Sequence, residues 1–302
     1  MRIALLRPPR DARPSLLRGV LYITAAYLAF TFGNAIAKAL VLHYSVLEVT
    51  FFRNAGALPL IAAMVAARGG PSVFRTRHPR LQVSSALAAV GSTLGYYAAL
   101  ALLPLGDTAV LGNALPLFLT VLAIPILHER VGVHRWTAVL IGFAGLIVAG
   151  VGSGSFPGRA DAIGVLLVLG QSLVGALSQL QMRQLAAFDR SLTIVTWQIV
   201  LLTVLCALPL PFVWTSPSPL DLVLLIILGI LGGLGQLLVA QAFHYAEASQ
   251  IAPWSYSGTP WAMIIGFFIW GEIPTWLEIV GAIVMILAGL YILRRERVRR
   301  KQ

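Results

Sequence analysis

Cysteine occurs once in 302 residues and histidine five times, so neither a disulfide framework nor a cysteine metal site is available. Charge is equally scarce. Only 11% of the residues are charged, and the 11 acidic ones face 22 Lys and Arg. So little charge cannot cover a soluble globule of this length. Sequence signatures of catalysis are missing too: there is no H-E-x-x-H, no G-x-S-G and no pair of mid-span aspartates. An intramembrane enzyme would therefore have neither a nucleophile nor a metal set, and no cofactor is expected. The net charge of +11 is not interleaved with exposed aromatics, which argues against a nucleic-acid partner.

What remains is apolar. The hydrophobic fraction is 58% and the mean hydropathy +0.86, and apolar runs long enough to cross roughly 30 Å of hydrocarbon as helices recur from end to end. They are too continuous for barrel strands, which would alternate residue by residue. The predicted fold class is an all-α membrane protein with ten transmembrane helices, near 19–42, 46–67, 81–103, 108–127, 136–151, 162–182, 191–213, 221–243, 249–270 and 274–293. Arg2, Arg7, Arg10, Arg13 and Arg18 followed by an apolar run mimic a signal peptide, with Ala35 and Ala37 as a small-residue pair. The run from Gly19 to Leu42 is too long for that, and reads as an uncleaved first span.

Sorting the cations into the implied loops puts 19 of the 22 on one side, the side of both termini. The positive-inside rule then predicts cytoplasmic N- and C-termini in a bacterial inner membrane. Acidic residues stand near the outer ends of the spans that run inward: Glu48, Asp107, Asp161, Asp221 and Glu272. A carboxylate at a helix N-terminus is stabilised by unpaired N–H groups and the dipole, so these read as capping residues. Asp189 before Ser191 and Glu247 before Ser249 read likewise at inner ends. With them removed, no acid is expected deep in the membrane.

The chain also repeats itself. Gly95, an Ala-rich stretch, Pro116, Glu129 and a helix with Gly142 and Gly145 are echoed by Gly235, Ala240, Ala242, Pro260, Glu272 and a helix with Gly281 and Gly289. Five spans per half is an odd number, so the halves would insert in opposite senses. Residues 1–151 form the first five-helix repeat, 152–161 a periplasmic linker, and 162–302 the second repeat with a basic cytoplasmic tail.

Phe30 to Asn34 and Lys38 on the first helix, Phe52-Arg53 on the second, and the segments from Pro116 to Glu129-Arg130 and from Pro260 to Gly271-Glu272 are the relevant motifs. Together they resemble the EamA-type branch of the drug/metabolite transporter superfamily. The resemblance covers essentially the whole chain. It implies a ten-helix bundle with helices 1–4 and 6–9 around a central cavity, helices 5 and 10 at the periphery, and export of amino acids or related metabolites. Phe30, where the family often has Trp, and Ala138, in place of a Gly, depart from its pattern.

Three polar stripes at helical period mark faces that would line such a cavity. They are Tyr27, Thr31, Asn34 and Lys38; Gln171, Gly175, Ser178 and Met182; and Gly229, Gly233, Gln236 and Ala240. The competing reading is hydrogen bonding between neighbouring helices. Trp254, Ser257, Gly258 and Trp261 share a side of helix 9 with Pro253 and Pro260, while helix 4 carries Asn113, Pro116, Thr120 and Pro125. These prolines are the hinge or gate candidates, with a static kink as the alternative. Tyr96, Tyr97 and Trp197 could add aromatic surface.

Lys38 and Arg53 lie about 6 and 10 Å inside the outer helix ends at 1.5 Å per residue, and an intramembrane cation is a functional residue by default. One reading is a site that attracts a substrate carboxylate. The other is a Lys38–Glu48 pair with Arg53 bonded to freed carbonyls.

The function expected is a secondary transporter that moves amino acids or similar small amphipathic metabolites by alternating access, driven by a substrate gradient or by exchange. A flippase for lipid-linked sugars or lipids is the alternative, and would require a long apolar groove. A passive channel is disfavoured because no ring of charges or filter loop appears. Membrane lipid and the small-molecule substrate are the partners expected, and the Gly-bearing fifth and tenth helices could form a homodimer face.

Overall fold

The computed structural model describes residues 16–68, 70–127, 133–152, 159–185, 188–189, 191–245 and 252–299. Glu129, Arg130, Glu247 and most of the 152–161 linker lie outside them, as do the side chains of Asp161 and Pro253. Among the described residues the secondary structure is helical throughout. The elements are α1 (Leu16–Val41), α2 (Val46–Ala55), α3 (Leu58–Arg68), α4 (Pro79–Leu100), α5 (Leu105–Gly112), α6 (Leu115–Leu127) and α7 (Val133–Gly152). They continue with α8 (Arg159–Leu185), α9 (Ser191–Ala207), α10 (Leu210–Val213), α11 (Pro219–Tyr245), α12 (Gly258–Trp270) and α13 (Trp276–Arg299). Short 3₁₀ segments cover Gly70–Phe74 and Ala252–Ser257.

Among the described residues, six helical stretches are long and apolar enough to cross a membrane: Leu16–Val41, Val46–Ala67, Pro79–Leu100, Leu105–Ile126, Ala162–Met182 and Pro219–Val239. Shorter apolar helices run over Val139–Ala149, Leu192–Ala207, Gly258–Trp270 and Trp276–Ala288. These stretches coincide with the apolar runs of the sequence, but several are discontinuous where an unbroken span was expected. The 46–67 run breaks at Gly56, the 108–127 run at Asn113 and Ala114 ahead of Pro116, and the 191–213 run at Leu208 and Pro209. The 249–270 run enters through a 3₁₀ turn. Proline lacks the N–H that would continue the helical ladder, which explains the breaks at Pro116 and Pro209. Pro125, by contrast, sits inside α6 without ending it.

The principal packing pairs are α1 with α11, α4 with α8, and α7 with α13. Small residues let the backbones close. A Cβ on Gly56 would lie 2.6 Å from the Gly229 Cα, and one on Gly281 would lie 2.5 Å from the Gly145 carbonyl oxygen. Contacts of this kind carry helix association in lipid, where burial of apolar surface gives no driving force.

At the end of the bundle that holds the α1–α2, α4–α5 and α12–α13 connections, here the far end, polar side chains bind loops to helices. Ser45 caps α2 by accepting the Glu48 N–H, and Glu48 accepts the Thr215 N–H at 3.2 Å. Tyr44 donates to Asp221 at 2.7 Å. Thr275 and Glu278 form a reciprocal capping box at the start of α13. Glu278 is 5% exposed, and it adds to the capping acids of this end one that the sequence reading did not name.

Asp189, expected to cap α9, instead accepts hydrogen bonds from the Thr76 hydroxyl, the Arg77 N–H and the Gln82 amide. Burial pushes its carboxyl up, but these bonds and the neighbouring His78 outweigh that and hold it below the usual carboxylate range.

Candidate functional site

A central cavity of about 360 Å³ lies among α1, α2, α4, α5, α8, α11 and α12. From the expected set it gathers Tyr27, Thr31 and Asn34 of α1, Arg53 of α2 and Tyr96 of α4. It also gathers Asn113 at the end of α5, Gln171 of α8 and Gln236 of α11. The helical period of α1 accounts for its share, because Tyr27, Thr31 and Asn34 recur on one face.

Local hydrogen bonds fix the lining. The Thr31 hydroxyl donates to the Tyr27 carbonyl at 2.8 Å, which satisfies it within its own helix. Asn34 donates to the Tyr96 hydroxyl at 3.5 Å, and Ser92 donates to Gln171 at 3.1 Å. Asn113 donates to the Thr259 hydroxyl at 2.9 Å. That bond joins the two interrupted runs, since Asn113 ends α5 and Thr259 opens α12. Interrupted helices are tolerated at membrane depth where they are buried in protein or line a cavity.

Other expected residues stand elsewhere. Ser178 belongs to the α4–α8 seam, where it donates to the Ser85 carbonyl at 3.0 Å. Trp197 donates to the Phe74 carbonyl at 3.2 Å, outside the cavity. Trp254 is 46% exposed, and neither it, Trp261 nor Ser257 lines the cavity. Pro116 and Pro260 flank the cavity in the first turns of α6 and α12, but neither lines it.

Lys38 is the main correction. It pairs with Glu272 and not with Glu48, and its ammonium lies 4.9 Å from the centre of the Trp270 ring. Glu272 is accordingly no helix cap of its own span. It follows the left-handed Gly271 that ends α12, and its second oxygen accepts the Leu105 N–H at 2.8 Å, the first residue of α5. A positive φ of 68° at Gly271 is a backbone state that glycine adopts without a Cβ clash, and it turns the chain so that Glu272 faces α1.

The Lys38–Glu272–Leu105 contact, with the packing of Gly106 against Met263, lies between two cavities. Leu105 lines the central cavity, and Glu272 lines a second pocket of about 180 Å³ on the far side with Asp107, Glu278 and Thr275. The central cavity carries Arg53 as its charge, and the second pocket carries carboxylates.

Sequence reasoning left Phe30, Ser92, Thr93 and Thr259 out of the site, and left Tyr97 as undifferentiated aromatic surface. All of them line the cavity. The spacing of Ser92 with Tyr96, and of Thr93 with Tyr97, is the same i, i+4 signal that marked α1.

The chain matches the EamA-like transporter family over residues 17–151 and again over 162–294, and it belongs to that family. Among its relatives, the S-adenosylmethionine uptake transporter of Rickettsia prowazekii is 25% identical, with 95% of this chain and 96% of the relative covered. The riboflavin transporter of Rhizobium johnstonii is 27% identical over 94% and 93%. The pseudopaline exporter CntI of Pseudomonas aeruginosa is 26% identical over 93% and 98%. A protein of known crystal structure shares the fold with a TM-score of 0.66 at 17% identity, covering 92% of this chain and 98% of its own. Together with its apolar helices, these relatives make the chain a multi-pass membrane protein of a family of small-molecule transporters.

Proposed function

We propose that this protein is a secondary carrier that moves amino acids or similar small amphipathic metabolites across the inner membrane by alternating access. Its two five-span halves are inverted with respect to one another, and both termini are cytoplasmic. The observation that carries the reading is the partition: a cavity of metabolite size, about 360 Å³, shut off from a pocket at one end by the Lys38–Glu272 pair and the Leu105 N–H.

The helix pairing supports the inverted halves. If the first spans of the halves, α1 and α8, exchange places, and the third spans, α4 and α11, do so too, the α1–α11 pair maps onto α8–α4. The α7–α13 pair maps onto itself. The flippase alternative is not favoured, because the lining includes Arg53, Asn34, Asn113, Gln171 and Gln236 and is no apolar groove.

The test is uptake of a labelled metabolite panel, amino acids included, into proteoliposomes, with and without a proton gradient. Saturable uptake down the substrate gradient, several-fold above protein-free liposomes, is expected for at least one compound. Background rates across the whole panel, with monodisperse protein, would refute the carrier reading.

A further inference from the structure

We infer that the central cavity selects a substrate that carries one carboxylate, docked on the Arg53 guanidinium, with a flat or aromatic body and no ammonium group. The inference rests on the carrier reading of that same cavity and narrows its substrates from amino acids to amphipathic carboxylates that lack the amino group.

Arg53 is the starting point. It lines the cavity and a small adjoining recess, and among the described residues no carboxylate lies within ion-pairing distance and no carbonyl accepts from it. The other cation within the spans is already neutralised, Lys38 by Glu272. Glu48, on the same helix as Arg53, takes the Thr215 N–H instead. A guanidinium without a counter-charge at membrane depth is costly unless something hydrates or binds it, and its planar fork of donors matches a carboxylate.

Two hydroxyls point to the same ligand. Tyr97 is 2% exposed and lines the cavity, and its buried hydroxyl has the Arg53 guanidinium beside it and no acceptor for its own proton. A donor so placed loses its hydration without compensation, so a ligand oxygen would restore what folding removed. Tyr96 accepts from Asn34 and keeps its own proton for another acceptor. Both tyrosines line the same cavity as Arg53. One cation and two O–H donors thus converge, and what they can bind in common is an anionic oxygen.

The opposite charge has nowhere to go. No described residue lining the cavity is acidic, and Asp107, Glu272 and Glu278 line the pocket beyond the partition. An ammonium group in the cavity would meet amides and hydroxyls under the repulsion of Arg53, which is discrimination by an unpaired charge. For the body of the substrate, Tyr27 and Phe30 offer an edge-to-face aromatic pair, with ring centres 5.9 Å apart, on the same wall.

The experiment uses four compounds that share a phenyl group: 3-phenylpropionate, its neutral amide 3-phenylpropanamide, L-phenylalanine and phenethylamine. Affinity for the purified full chain at pH 7 is read by calorimetry, and transport by counterflow in proteoliposomes. The acid should bind about tenfold or more tighter than the amide, the zwitterion and the amine, as expected for a charge-assisted contact. Arg53→Gln should erase the preference over the amide, and Arg53→Lys should retain part of it. Tyr97→Phe, which removes one oxygen at nearly constant volume, should weaken the acid by about three- to tenfold and leave the amine unchanged.

Tighter binding of the amine or of phenylalanine would overturn the inference, as would a preference for the acid that survives Arg53→Gln. If Arg53→Gln does not fold, the wild-type ranking and Tyr97→Phe decide. Saturable transport of the amine or amide without the acid would remove this inference and leave the carrier standing. Absence of binding for all four compounds would also remove it, and the carrier reading would then stand or fall on the metabolite panel.

Discussion

Lys38 and Glu272 are 234 positions apart, yet they form the contact that separates the central cavity from the acidic pocket. Their side chains are only 10% and 18% exposed. Removing one partner of such a pair leaves a buried charge unsatisfied, which is worth on the order of 3 kcal/mol, whereas removing both is far less damaging. Lys38→Met and Glu272→Gln should each lower the thermal midpoint in detergent by several degrees, and the double variant should recover most of the loss. Additive losses in this cycle would mean that the two side chains are not coupled. The depth of Lys38 was legible in the sequence, and its partner was not. Glu48 stands at a similar depth, and depth alone does not say which helix is the lateral neighbour.

Gly56 interrupts the α2–α3 run where it meets Gly229 of α11, and the closeness there is between backbones. A methyl group on Gly56 would meet the Gly229 Cα at 2.6 Å, an atom that cannot rotate away. Gly56→Ala should therefore destabilise by about 1–3 kcal/mol, the usual penalty of overpacking. Gly170→Ala is the control, since a Cβ there meets nothing within 4 Å. It should be neutral or stabilising by about 0.5 kcal/mol, because alanine is the better helix former. Equal melting of the two variants would show that the α2–α11 approach is not tight. At this scale the breaks at Pro116 and Pro209 could be read from composition. The break at Gly56 could be read likewise, since Pro59 stands in the first turn of α3 as Pro116 does in α6, whereas the close approach of Gly229 could not.

The charge asymmetry of the whole chain predicts its orientation. Arg80 precedes the body of α4 at the basic end, and Ser216 lies in the α10–α11 connection at the far end; both are exposed. In intact cells a membrane-impermeant maleimide should label Ser216→Cys, and should label Arg80→Cys only after permeabilisation. The buried Cys206 is shielded in either case. Labelling in the reverse order would invert the orientation.

The apolar helical runs and the polar face of α1 follow from sequence alone. Lipid demands about 20 apolar residues per crossing, and a polar residue in a span has to face protein or water. The direction in which an apolar or aromatic side chain points does not follow, because lipid and protein interior are equally apolar. Trp197 and Trp254 could therefore be taken for cavity residues, although one bonds to Phe74 and the other is exposed. The tertiary structure alone decided that Lys38 joins Glu272 while Arg53 lines the cavity. Those choices depend on which helices lie side by side, and lateral packing leaves no period in a single chain.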